Sequence, residues 1–195
     1  MYASNEASII KESSYGYHLI PIQDEMLAHR EVELVGEVTP EAVNVLVRQL
    51  RYLQRQDPKG EITLYINSPG GSVDSGMALY DVMQAVSCPV RTVCVGLAAS
   101  MAALLFVSGK RRDMLPHSRL MIHDPLISQV GGSALKLKAV SDDLMETRQI
   151  IAQVIANHSG KSVEEILAKT ATDSYFRAEE AVEFGLADRV VTSLT

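Results

Sequence analysis

Apolar and polar residues alternate in Glu31-Val-Glu-Leu-Val35, and that period of two predicts a β-strand. Thr39-Pro40 then supplies an N-cap and a proline at the first helical position. Val43, Leu46, Val47, Leu50 and Leu53 recur at the spacing of one helix face until Asp57-Pro58 ends the run. Ile62-Thr-Leu-Tyr-Ile66 is a second strand, leading into Asn67-Ser-Pro-Gly-Gly71, and Met77, Tyr80, Met83 and Val86 mark the helix behind it. Val90 to Val95 is expected as a third strand, Ser100 to Val107 as a helix and Arg119 to His123 as a fourth strand.

Farther on, Leu137, Val140, Leu144, Ile151, Val154 and Ile155 place one apolar face on a long helix. Ser162-Val-Glu-Glu165 is a capping box for a helix ending near Thr170, and Ala178 to Gly185 reads as a short helix with a glycine C-cap. The first ~20 residues mix Ser, Tyr, Glu and Lys without periodicity and predict an arm or loop. Strands alternating with helices predict an α/β fold, with a mostly parallel sheet and right-handed crossovers. One domain over residues 1–195 is expected, a length that buries a substantial core.

Composition narrows the function. Hydrophobic residues make up 47% and charged residues 22%, as in an ordinary globular chain. A net charge of −6 with no dense Lys/Arg stripe excludes nucleic acid as the main partner. Lys110-Arg111-Arg112 is short, is followed by Asp113, and reads as a solvated turn. The two cysteines, Cys88 and Cys94, form no Cys-x-x-Cys, and Cys94 lies in an apolar run that predicts a buried reduced thiol. No apolar run reaches the ~18 residues of a membrane span and no signal-type core opens the chain, so a cytoplasmic location is expected.

Sites in open α/β folds collect where strands end and helices begin. Pro69-Gly70-Gly71-Ser72 is one such junction, either a tight turn or a loop whose amides face a ligand. The other is Val95-Gly-Leu-Ala-Ala-Ser-Met-Ala-Ala-Leu-Leu105, where Ser100 opens a helix among small apolar neighbours. There a hydroxyl can act as a nucleophile with the Met101 amide beside it, or it can simply permit close helix packing. His123 ends an apolar strand at a comparable edge, whereas His18, His29, His117 and His158 read as surface. Asp124, adjacent on the strand, should point to the opposite face from His123. Asp173 sits in a polar turn, and Asp142 and Asp143 on a solvated helix face.

Jointly, the blocks YINSPGGSVDSGMALYD, GLAASMAALL, LPHSRLMIHDP and TDSYFRAEEAVEFGLADRV closely resemble those of ClpP, a self-compartmentalising serine peptidase family related in fold to crotonases. The resemblance runs from about Val32 to the end. It implies repeated β-β-α units with a long protruding helix, an N-terminal arm over about residues 1–30, and the family's nucleophile, base and acid at Ser100, His123 and Asp173. It further implies oxyanion-binding amides at Gly71 and Met101. No metal or organic cofactor is implied. The partners implied are copies of the chain in heptameric rings stacked as a tetradecamer, an AAA+ Clp ATPase and polypeptide substrates.

The chain also departs from the family. His123-Asp124-Pro125 stands where His-Gln-Pro is usual, and Ala171-Thr172 where an acid-arginine pair often serves ring contact. Of the ATPase-docking positions, matched here by Arg51, Tyr52, Thr63, Tyr65 and Ala85, only the tyrosines keep an aromatic or apolar character. The rivals to a serine endopeptidase are therefore a mainly structural paralogue needing a second ClpP-type subunit, and a crotonase-like acyl-CoA enzyme using the Gly71 amide.

Overall fold

The computed structural model describes residues 7–127 and 129–194. Its centre is a mostly parallel sheet. Strands β3 (Glu31–Val35), β4 (Ile62–Ser68), β5 (Val90–Ala99), β6 (Arg111–Met114) and β9 (Arg189–Val190) lie side by side in that order, all parallel. β5 forks: its first half pairs with β6, and Leu97–Ala99 pair with β7 (Arg119–Ile122). β7 is antiparallel to β8 (Ser174–Arg177). Helices α2 (Pro40–Gln56) and α3 (Val73–Ala85) link the first three of these strands. α4 (Met101–Val107) follows β5, and α5 (Ala134–Ser159), α6 (Val163–Thr170) and α7 (Ala178–Phe184) complete the helical layer. Among the described residues no helix is long and apolar enough to cross a membrane.

The periodic segments fold as their patterns predict. Val43, Leu46, Leu50 and Leu53 are buried on α2, the Thr39 hydroxyl accepts from the Ala42 amide, and Pro40 occupies the first turn. In β4, Ile62, Leu64 and Ile66 point into the core while Thr63 and Tyr65 are half-buried on the other face. Every residue of α4 is buried, as expected of a helix apolar on all sides. Ser162 and Glu165 form the capping box, and Gly185 ends α7 in the left-handed region. Both thiols are buried, and burial pushes the Cys94 thiol up to about 11.

Four segments differ from expectation. Residues read as an arm form an antiparallel hairpin, β1 (Ser8–Ser13) with β2 (Gly16–Pro21), followed by α1 (Ile22–Ala28); the arm's first six residues lie outside the described ones. The hairpin is exposed on both faces, so no alternation marks it. β5 runs past Val95 to Ala99, because a bulge opposite Ile66–Ser68 inserts extra residues and the Asn67 side-chain oxygen accepts from the Leu97 amide. On α5 only Ile151, Ala152, Val154, Ile155 and Ala156 are buried; Leu137, on the expected apolar face, is 40% exposed. A 26-residue helix is about 39 Å long and outruns the core it packs on.

The fourth difference is the basic run, which is a strand rather than a turn. Asp113, fully buried in β6, accepts from Arg91 Nε at 2.7 Å on Oδ2 and from Arg189 Nε at 2.8 Å on Oδ1. Arg112 pairs with Asp188 and donates to the His158 and Gly185 carbonyls at the C-terminal ends of α5 and α7, at 2.7 and 3.0 Å. His158 is accordingly not a surface residue: it lies half-buried edge-on to Tyr80, and burial, then Arg112 and Lys110, lower its pKa.

Burial alone would raise the Asp113 pKa, but hydrogen bonds from Arg189 and Arg91 outweigh it and hold the carboxyl below its ordinary value. Its stabilising contribution is therefore complete above the unfolded carboxylate pKa and disappears as pH falls through the depressed folded value. Removing one partner of such a buried pair costs about 3–5 kcal/mol, because the other charge stays buried. Asp113→Ala should lower stability in urea by that order at neutral pH, and the gap to the parent should narrow below about pH 4. Denaturant titrations of both proteins at several pH values check this; a constant gap down to strong acid would refute the assignment.

Candidate active site

Ser100 sits where β5 stops and α4 starts, at the fork in the sheet. Its φ of 55° lies in the left-handed region, which among the described residues only one other non-glycine residue, Arg30, shares. A bulky side chain seldom stays there without support. Support is present: the Ser100 amide donates to the Met121 carbonyl at 2.8 Å, and its carbonyl accepts from Ala103 and Leu104 at 3.0 and 3.2 Å. The turn lifts the hydroxyl out of the core at the head of a buried helix.

The imidazole expected as base lies within hydrogen-bond reach of this hydroxyl. His123, just beyond the last residue of β7, sets Nε2 at 2.7 Å from Ser100 Oγ. With its proton on Nδ1 the ring accepts from the hydroxyl. Asp173, immediately before β8, brings Oδ1 to 3.4 Å from His123 Nδ1. The antiparallel pairing of Ile122 with Ser174 is what places these two residues opposite each other. The acid contact is looser than the serine contact. The histidine side chain is 15% exposed and the aspartate 61%, so water screens that pair. Asp124 lies beyond the end of β7, and its carboxylate pairs with Arg148 instead of the ring.

The glycine junction packs directly behind the serine. Val38 donates to the Gly70 carbonyl at 2.8 Å and accepts from the Ser72 amide at 2.9 Å, forming a parallel bridge to Gly71. In that pattern the Gly71 N–H faces away from Val38, and no acceptor engages it among the described residues. The Met101 amide heads α4 and has no intrahelical acceptor. Among the described residues both amides are unengaged, that of Met101 directly after the serine and that of Gly71 directly after the Gly70 that packs on it.

Beside the hydroxyl, Val73, Met101, Leu104, Ile122, Ile151 and Ile155 line an apolar cavity of about 20 Å³. A larger open cleft of about 540 Å³ lies elsewhere, lined by Met26, Glu31, Glu33, Tyr65 and Leu194 among others. Tyr65 is the one expected docking position in it. Burial, and then the Glu31 charge, raise its hydroxyl pKa. Arg51, Tyr52 and Ala85 are exposed on α2 and α3, and Thr63 is half-buried on β4. Among the described residues no group of three or more His, Cys, Asp or Glu side chains is arranged to hold a metal ion.

Sequence reasoning missed two supporting residues. Ser68, buried at the end of β4, accepts the Gly70 amide at 3.1 Å and shapes the loop. Gly76 lies inside α3, and a Cβ there would stand 2.2 Å from Met101 Cγ. A glycine within a helix weakens it by roughly 0.5–1 kcal/mol, so its presence was the available sign of a close approach.

Gly70 is the constrained glycine that presses directly on the serine. Its φ is +95°, and a Cβ would meet the Ala99 carbonyl at 2.7 Å and Ser100 Cβ at 2.8 Å. Gly70→Ala should cost on the order of 1–3 kcal/mol in stability. It should slow labelling of Ser100 by a fluorophosphonate on the order of 10²-fold, because the serine must shift. Labelling kinetics beside a thermal melt test this; a variant labelled as fast as the parent would show that Gly70 does not hold the serine.

Residues 14–194, nearly the whole chain, match a family model described as Clp protease. With the parallel α/β sheet and the long α5 already in view, the chain belongs to the Clp protease family and is a ClpP-type peptidase.

Proposed function

We propose that the chain is a serine endopeptidase, the proteolytic subunit of an ATP-dependent protease that cuts peptides and unfolded proteins inside a ring chamber. The observation that carries this reading is the 2.7 Å contact from His123 Nε2 to a serine held at positive φ. Ser100 Oγ attacks the substrate carbonyl carbon while His123 Nε2 takes the hydroxyl proton. The carbonyl oxygen becomes an oxyanion between the Gly71 and Met101 amides. As the tetrahedral intermediate collapses, the C–N bond breaks and His123 delivers the proton to the leaving amine. Water, deprotonated by the same ring, then hydrolyses the acyl-enzyme. Asp173 holds the Nδ1–H tautomer and stabilises the imidazolium.

Assembly into heptameric rings, stacked in pairs and fed by an AAA+ Clp ATPase, belongs to the same reading. Its support is the water-facing first half of α5, with Leu135 82%, Leu137 40% and Met145 59% exposed, beside Leu126 at 76%. Apolar surface of that kind favours another protein surface. The altered docking positions and the loose, exposed Asp173 contact favour a second reading, in which the chain reaches full activity only beside a second ClpP-type subunit. A crotonase-like acyl-CoA reaction is the weaker rival, since it leaves the Ser100–His123 contact without a role.

Ser100→Ala removes one hydroxyl and little volume. It should abolish fluorophosphonate labelling and lower kcat on a short fluorogenic peptide by on the order of 10⁴–10⁶, with the melting temperature almost unchanged. Retention of substantial turnover would sink the serine assignment.

Ala171 and Thr172 bear no charge, so ring pairing here lacks any ion pair from those positions. Heptamers are expected to form readily, with two-ring association weak and strengthened by a substrate analogue or a second ClpP-type subunit. Analytical ultracentrifugation over a dilution series tests this. A double ring of this chain alone that survives dilution and salt, fully active on peptides, would overturn it.

A further inference from the structure

His123 and Asp173 lie just past the end of a two-strand ladder, and what holds them together on the open side is a small polar knot. On the ladder side Ile122 pairs with Ser174. On the other side the Asp124 amide donates to the Thr170 carbonyl at 2.8 Å, tying the residue after the histidine to the end of α6. The Asp124 carboxylate takes Arg148 Nε at 2.6 Å, and Arg148 Nη2 donates to the Leu167 carbonyl at 3.1 Å. One guanidinium on α5 therefore grips both the chain leaving His123 and the helix leading to Asp173.

We infer that Asp124 and Arg148 are positioning residues that set the separation between His123 and Asp173. This rests on the catalytic reading of Ser100, His123 and Asp173. The carboxylate depends on its partner, because Asp124 Oδ1 is buried with no hydrogen bond of its own and Arg148 supplies the side-chain contact to Oδ2. The two side chains are only 28% and 23% exposed, so the pair is less screened than a surface one. Without Arg148, a partly buried charge next to His123 has no counterion. If the backbone at Asp124 shifts to bring that carboxylate to water, its amide loses the bond to the Thr170 carbonyl and the imidazole drifts from Asp173. The acid contact already stands at 3.4 Å, so little drift is needed to lose it.

The test uses the full chain with Arg148→Met, Arg148→Lys, Asp124→Asn and the Asp124→Asn/Arg148→Met double variant. Read out are the fluorophosphonate labelling rate, kcat and KM on a short peptide, the melting temperature, and crystal structures of the parent and of each variant that crystallises. Arg148→Met should slow labelling and lower kcat on the order of 10–100-fold with KM little changed. Arg148→Lys should restore part of the rate through its charge. The double variant should be faster than Arg148→Met, since no lone carboxylate remains. In the crystal, His123 Nδ1 and Asp173 Oδ1 should move apart in Arg148→Met and return in the double variant. A lowered melting temperature with unchanged labelling, a double variant no faster than Arg148→Met, or an unchanged His123–Asp173 separation would overturn the inference. If the parent itself fails to label at Ser100, the catalytic reading falls, and the crystallographic separation still decides the positioning role. Should Arg148→Met not fold, Arg148→Lys decides. It keeps a charge but loses the fork that also reaches the Leu167 carbonyl, so the same separation should widen and labelling should slow by less. An unchanged separation in that variant would overturn the inference.

Discussion

Burial of α4 is the constraint on which the site depends. All seven of its residues are enclosed, among them Met101, Leu104, Leu105, Phe106 and Val107. Burying each large apolar side chain contributes roughly 1.5–3 kcal/mol. The unfavourable φ at Ser100 costs on the order of 1–3 kcal/mol, so the helix outweighs the strain at its head several times over. The core cannot accept a relaxed serine without dragging α4 out of place. Gly70, pressed against Ala99 and Ser100 from behind, closes the other route of relaxation. Packing, rather than a polar network, thus aims the hydroxyl at His123.

Charge enters the interior of the fold through long-range knots, while local pairs such as Lys138 with Asp142 stay at the surface. Arg91, Asp113 and Arg189 come from β5, β6 and β9 and meet at one buried carboxylate. Arg112 closes the carbonyl ends of α5 and α7. These contacts join segments that are adjacent only in the folded sheet. A run of basic residues looks solvated in the chain because its partners, Glu61 for Arg111 and Asp188 for Arg112, lie 50 and 76 residues away.

That difference in range explains what could be read from the sequence. α2, β4, α3 and the capped α6 and α7 announce themselves because period and caps are local properties of the chain. The hairpin of β1 and β2 escaped because both its faces meet water, and β6 escaped because four residues with three charges carry no apolar rhythm. The apolar face of α5 was legible, but not what covers it, for periodicity names a face and says nothing of its neighbour. Ser100 and His123 stood out as candidates by their places at strand ends, though only the resemblance gave them roles, and their contact is shorter than the one from His123 to Asp173. Asp173 came from the resemblance alone. Its own surroundings, a polar turn, give no sign of chemistry.

On the proposed reading, the Asp173 contact also separates what one chain supplies from what an assembly would add. Ser100 and His123 are arranged by elements of the sheet and by α4, and their geometry needs no other surface. Asp173 is more than half exposed, and its carboxylate reaches the imidazole at 3.4 Å. In water such a pair orients the ring weakly; with water excluded, the same charge at the same distance acts much more strongly. On the proposed reading, a neighbouring copy that covered the turn at 172–174 would strengthen the acid contact without moving the serine. Activity would then follow assembly through the dielectric around one carboxylate, with the nucleophile already in place in the single chain.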